Sequence, residues 1–129
     1  MASLNRIQLI GRLGKEPEER TTPKGTKLIT FTMAVDHIWK TTAGEMKKST
    51  DWFFVEVWGK YGETLKKLLG KGKLIYLEGR LKTDRYEEKG ETKYFTKVIA
   101  SNIQVLDRKH AEDEGSVVIP VEDEPAAEE

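Results

Sequence analysis

The stretch TDWFFVEVWGK, residues 50–60, crowds Trp52, Phe53, Phe54 and Trp58 around the carboxylate of Glu56. Side chains of a β-strand alternate between two faces. Phe53, Val55 and Val57 therefore fall on one side, and Trp52, Phe54, Glu56 and Trp58 on the other. The first set suits a core. A buried carboxylate without a partner is costly, so the second face is expected to meet water. Large flat rings standing on a wet surface can stack on other flat rings, nucleobases among them. Single-stranded nucleic acid is held in this way, with Lys and Arg following the phosphates, and each base stack contributes ~1–3 kcal/mol.

Two more rings join this set. Trp39 ends the strand-like run KLITFTMAVDHIW, and Tyr86 ends LIYLEGRLKTDRY. In the latter, Tyr76, Glu78, Arg80, Lys82, Asp84 and Tyr86 share one face, opposite Ile75, Leu77, Gly79 and Leu81. Trp39, Trp52, Trp58 and Tyr86 are thus the candidate stacking platforms, and Phe54 is a secondary one. The candidate phosphate contacts are Arg12, Arg20, Lys47, Lys48, Lys60, Arg80, Lys82 and Arg85. An aromatic face of this kind also fits a protein interface, and a strand tryptophan also fits a core.

Catalytic chemistry finds no matching pattern. The chain has no cysteine, which removes disulfides, thiolate metal sites and cysteine nucleophiles. His37 and His110 are far apart, without ligand spacing. GKYGETLKKLLGKGK is rich in Gly and Lys but lacks the GxxxxGK[ST] spacing of a phosphate loop. Asp36, Asp51, Glu56, Glu78 and Asp84 are scattered over three different strands, and no pair has a telling spacing, where a metal-dependent nuclease needs convergent carboxylates. Neither a metal nor a cofactor is expected, nor an enzyme.

The 129 residues suit one domain with a real core and a short appendage. Formal net charge is zero, with 22 basic and 22 acidic residues, but the charge is unevenly divided. Residues 1–106 hold 20 basic against 13 acidic side chains, and residues 107–129 hold 2 against 9. A basic body with an acidic tail points to a polyanionic partner. Acidic, Pro-containing termini also serve simply as solubilising disorder. No apolar run reaches the ~18 residues that span a bilayer, and MASLN is too short for a signal peptide. The expectation is a soluble, intracellular domain with no membrane partner.

The elements that must carry these residues are strands with one helix. NRIQLIGRLG (5–14), KLITFTMAVDHIW (27–39), the aromatic strand ending near 58, LIYLEGRLKTDRY (74–86) and TKYFTKVIASNIQVL (92–106) read as strands. Residues 15–26 read as loop, broken by Pro17, Pro23 and Gly25. Tyr61, Leu65, Leu68 and Leu69 recur at helical spacing and Gly70 ends that helix. Three strands, a helix, then two strands is the order of a mainly β, five-stranded OB-fold barrel with one helix between its third and fourth strands.

The whole run from NRIQLIGRLGKEPEER through VDHIWK and AGEMKKSTDWFFVEVWGKYGE to LLGKGKLIYLEGRLKTDRY and KYFTKVIASNIQVL resembles the bacterial single-stranded DNA-binding proteins. The resemblance covers residues 3–106 in that family's order and spacing. It implies an OB-fold protomer over residues 1–106, a disordered acidic tail over 107–129, and assembly as a homotetramer, a dimer of dimers. It implies cytoplasmic, nucleoid-associated binding of single-stranded DNA in replication, recombination and repair. The family's stacking aromatics fall on Trp39, Trp52, Trp58 and Tyr86. Its subunit contacts fall on the first strand, at Asn5, Ile7 and Leu9, and near Phe53, where the family commonly has a polar residue. Family tails recruit replication and repair proteins through an acidic, Phe-terminated tip, whereas this chain ends VEDEPAAEE. An OB-fold accessory that binds a protein partner and an RNA-binding OB domain are the alternative readings.

Overall fold

In a computed structural model, residues 2–59, 62–107 and 117–120 are described. The chain runs β1 (Ile7–Leu13), β2 (Glu18–Thr21), β3 (Lys27–Lys40), β4 (Met46–Trp58), α1 (Gly62–Leu68), β5 (Leu74–Glu88), β6 (Glu91–Val105) and β7 (Val117–Pro120). Neighbours in the sheet follow the order β1-β5-β6-β4-β3-β2, and a β1–β3 pairing closes the five long strands into a barrel. All pairings are antiparallel except β4–β6, where Val55 and Glu56 lie beside Val98 and Ile99. This is the five-stranded OB-fold barrel that the strand order predicts, with its helix between the third and fourth long strands.

The core is set by alternation. Ile29, Phe31 and Met33 from β3 and Val55 and Val57 from β4 point inward, with Ile75 and Leu77 from β5 and Val98, Ala100 and Ile103 from β6. The seven-residue helix contributes Leu65, and Leu69 follows it; both are buried. At the Glu78/Gly79 step of β5 the register with β6 shifts, leaving Ser101 as the extra residue of a bulge. A Cβ on Gly79 would collide with the Ile99 carbonyl, so only glycine allows the two backbones to approach there.

Beyond the barrel, β3–β4 and β5–β6 continue as two protruding hairpins. Asp36–Lys40 and Arg85–Tyr94 are exposed along their whole length, on both faces. The second hairpin turns at Lys89 and Gly90, both at positive φ, which matches the twist of the flanking strands. The first turns through Thr41–Glu45, where the Thr41 hydroxyl accepts the Glu45 N–H at 3.1 Å and Gly44 takes positive φ.

Two stretches differ from the sequence expectation. Glu18–Thr21, within the segment read as loop, pairs with Lys27–Thr30 as an edge strand. Its four residues are all exposed and polar, so no apolar alternation marks it. Val117–Pro120, within the tail expected to be disordered, pairs antiparallel with Asn102–Val105 of β6. The remainder of the tail after Asp107 lies outside the described residues.

Candidate nucleic-acid interface

The outer face of the barrel is built by β2, β3, β4, β5 and β6. Cross-strand register places Thr32 beside Phe54 and Ala34 beside Trp52. Trp52 is 61% exposed, and its ring lies over Gly14, where a Cβ would collide with it. Gly14 therefore forms a shelf for the indole, and Thr32 lines the same contact. Phe54 is half-buried and meets Phe95 edge-to-face, with ring centroids 5.4 Å apart at 65°.

Trp39 is 41% exposed and stacks on His37, with centroids 5.5 Å apart at 19°. By strand parity Trp39 belongs with Met33 and Val35, on the face opposite Trp52. It meets solvent because β3 has already left the barrel at that point. Tyr86 is 44% exposed near the end of β5, opposite Lys93.

Trp58 and Glu56 depart from the expectation of a wet face: both are buried, at 5% and 8% exposure. Trp58 packs with Leu28 and Ile99 in a small second apolar cluster on the outside of the barrel. Its Nε1 donates to Glu56 Oε1 at 3.0 Å, and Lys97 Nζ donates to Glu56 Oε2 at 2.9 Å. Lys97 also pairs with Asp84 at 2.8 Å. The partner that makes Glu56 tolerable is thus a lysine 41 residues later in the chain. Desolvation pulls the Lys97 pKa down, but hydrogen bonds and charge from Asp84 and Glu56 outweigh it and hold the ammonium above the ordinary lysine value.

A groove of about 460 Å³ runs beside Trp58, lined by Arg20, Thr21, Thr22, Lys82, Arg85 and Lys97, among others. The strand that sequence reading missed, β2, supplies one wall of it. The expected phosphate contacts among the described residues fall into four places. Arg20, Lys82 and Arg85 gather at this groove, while Arg80 lines a second recess of about 430 Å³ with Leu4, Asn5 and Arg6. Lys47 and Lys48 sit on the first hairpin, within 3.7 Å of Glu45 and 3.8 Å of Asp36. Arg12 stands apart, donating to the Gly72 carbonyl at 2.8 Å and pairing with Asp107 at 3.2 Å. Lys60 lies outside the described residues. Two further groups went unremarked in the sequence: Phe95, 43% exposed, and Lys93, two residues before it on the same face of β6. The period-2 run Lys93, Phe95, Lys97 is the signal that marks them.

The expected subunit-contact residues are partly engaged within the chain. The Asn5 amide donates to the Leu81 carbonyl at 2.7 Å and accepts the Leu81 N–H at 2.9 Å, imitating one more residue of strand pairing. Ile7, Leu9 and Phe53 are half-buried and pack on the core. Beyond Arg12 and Leu13, the β3-facing edge of β1 has no strand partner among the described residues. Arg6 and Glu78 form an ion pair beside this strand, and Asn102 and Tyr76 also bond to the Glu78 carboxylate, which holds its pKa below the ordinary value.

Among the described residues no group of three or more His, Asp or Glu could hold a metal ion, and no helix is long and apolar enough to cross a membrane.

Comparison with known proteins agrees with this geometry. A single-stranded DNA-binding protein of Thermotoga maritima is 38% identical over 128 residues, covering 95% of this chain and 91% of that protein. Single-stranded DNA-binding protein 2 of Staphylococcus aureus is 42% identical over 108 residues, covering 83% and 75%. Among solved structures, a Plasmodium falciparum SSB in complex with ssDNA superposes with a TM-score of 0.73 at 32% identity, covering 83% of this chain and 98% of that one. A deletion mutant of the Thermus aquaticus single-stranded DNA binding protein gives 0.71 at 30% identity, covering 89% of this chain and 55% of that one. The model of the single-strand binding protein family matches residues 4–106, the entire barrel, and the chain belongs to that family.

Proposed function

We propose that this chain is a non-catalytic protein that coats single-stranded DNA with little regard to sequence, in replication, recombination and repair. The observation that carries the reading is the open display of Trp39, Trp52 and Tyr86, 41–61% exposed, on and around a sheet face whose grooves hold Arg and Lys. Stacking needs only the π-face that every base has, so such a surface binds without reading base edges. Phe54 supports the centre of the face. Trp58 lies at the floor of the groove, where its burial makes it a support for bound strand more than an open platform. Arg12, Arg20, Lys47, Lys48, Lys60, Arg80, Lys82 and Arg85 are the proposed phosphate contacts.

The open edge of β1 supports assembly, because unpaired strand N–H and C=O groups invite a second copy. The proposed assembly is a homotetramer built as a dimer of dimers, with Asn5, Ile7, Leu9 and Phe53 near the contact. Residues 1–106 would form the binding and oligomerisation unit, and residues 107–129 an acidic arm that recruits replication and repair proteins in the bacterial cytoplasm. Pull-downs with full-length and 1–106 protein test that arm, and equal recovery would remove it from the reading. Sedimentation equilibrium tests the tetramer.

The DNA reading is tested by titrating the protein with oligo(dT), matched oligo(U) and a duplex of equal length across salt concentrations. Saturable binding to the single DNA strand is expected, with log K falling against log salt at about −0.7 per phosphate neutralised. Affinity indifferent to salt, or equal for the duplex, would overturn the reading. Preference for the RNA would favour an RNA-binding role instead.

A further inference from the structure

Phe95 stands on the outer face of β6, opposite Asp84 of β5, and is 43% exposed. Its contact with Phe54 is edge-to-face, 5.4 Å between centroids at 65°. The two rings are steeply inclined, so they cannot both lie flat on the sheet. Phe54 is the half-buried member of the pair, and Phe95 the open one. From the burial and register of these residues, we infer that Phe95 is a further stacking platform for a nucleobase, held at its angle by Phe54. This rests on the reading of the chain as a binder of single-stranded DNA.

Three features support the assignment. Phe95 completes a track of rings: Trp52 and Phe54 are two residues apart on one face of β4, and Phe54 touches Phe95. Tyr86 lies diagonally across the β5–β6 ladder from Phe95. Contiguous exposed apolar surface of this kind marks a binding site where scattered single residues do not. Second, the exposed Lys93 lies two residues before Phe95 on the same face, about 6.8 Å along the strand, with Glu88 3.9 Å away. Third, the acid facing Phe95 is not bare: Asp84 pairs with Lys97 at 2.8 Å, a lysine it shares with Glu56, which softens its repulsion of a phosphate.

The test uses the full chain carrying Phe95→Leu, Phe95→Ala, Phe95→Tyr or Phe95→Trp, with oligo(dT) affinity measured across salt and Tm measured alongside. Phe95→Leu and Phe95→Ala are expected to weaken binding about tenfold with the salt slope unchanged, because a ring is lost and no cation is. Phe95→Tyr and Phe95→Trp are expected to keep wild-type affinity, and the new tryptophan to add to the fluorescence quenched by oligo(dT). Wild-type affinity in Phe95→Leu would overturn the proposal. So would losses that follow Tm across the four variants and not the presence of a ring. Failure of the wild-type protein to bind oligo(dT) at all would instead overturn the underlying reading, and this inference with it.

Discussion

The barrel wall and the hairpins that project from it treat the same residue types in opposite ways. On the wall, Trp58 is 5% exposed and its indole N–H is tied to Glu56, which is tied in turn to Lys97. On the hairpins and their roots, Trp39, Trp52, Tyr86 and Phe95 are 41–61% exposed. The chemistry of the rings is alike; the number of strands beside them is not. Leu28 and Ile99, from strands on either side, cover Trp58, whereas β3 and β5 run past their last covering neighbours before reaching Trp39 and Tyr86. Rings on the wall stabilise the fold, and rings beyond it are free to meet a ligand.

The largest effect is expected at Trp58. Trp58→Ala is expected to cost about 3–5 kcal/mol in chemical denaturation, since it removes a large buried ring and orphans part of Glu56. An undiminished stability would mean that the wall is as open as the hairpins. Lys97→Met should cost a similar ~3–5 kcal/mol, because Glu56 stays buried without its counter-charge. Replacing Glu56 by Leu in the same chain should recover part of that loss.

Trp52→Ala reverses the pattern. With 61% of the residue already exposed, its stability should change little, while oligo(dT) affinity should fall by ~1–3 kcal/mol. Gly14→Ala should have a smaller effect on binding, a few-fold loss at unchanged salt slope, because the new methyl displaces the Trp52 indole from its shelf. Wild-type binding by Gly14→Ala would show that the seat of the ring is unimportant.

The smallest effects are those of pH. Glu78 is held below the ordinary carboxylate value by Arg6 and Asn102, so its contribution is present above that value and fades as pH falls through it. Lys97 is held above the ordinary lysine value, about 10.4, so its contribution is intact below that pH and fades as pH rises past it. Denaturation of Glu78→Gln should therefore lose a small part of the acid-limb dependence, and denaturation of Lys97→Met part of the alkaline limb. An unchanged limb in either variant would deny that pair its role.

The five barrel strands and the helix were legible because each carries its own period: Ile29, Phe31, Met33 in β3, for instance, or Leu65 and Leu69 around α1. β2 was not, since Glu18–Thr21 is an exposed edge strand with nothing apolar to alternate. The exposure of Trp52 followed from strand parity, but parity names two faces without saying what covers each. Glu56 looked unaffordable inside the protein because its counter-ion, Lys97, belongs to another strand and leaves no local trace. Phe95 escapes notice for the complementary reason: on its face of β6 it stands between Lys93 and Lys97, and nothing marks it out until Phe54 is placed against it.

The central claim is that hairpin and rim rings meet DNA while the wall ring stays with the fold. The most direct test is tryptophan fluorescence during oligo(dT) titration of wild-type, Trp52→Phe and Trp58→Phe proteins at low salt. Strong, saturable quenching is expected in the wild type, a large part of it lost in Trp52→Phe with the remainder carried by Trp39, and nearly all of it retained in Trp58→Phe. Quenching undiminished in Trp52→Phe and lost in Trp58→Phe would mean that the wall ring, and not the rim ring, meets the DNA.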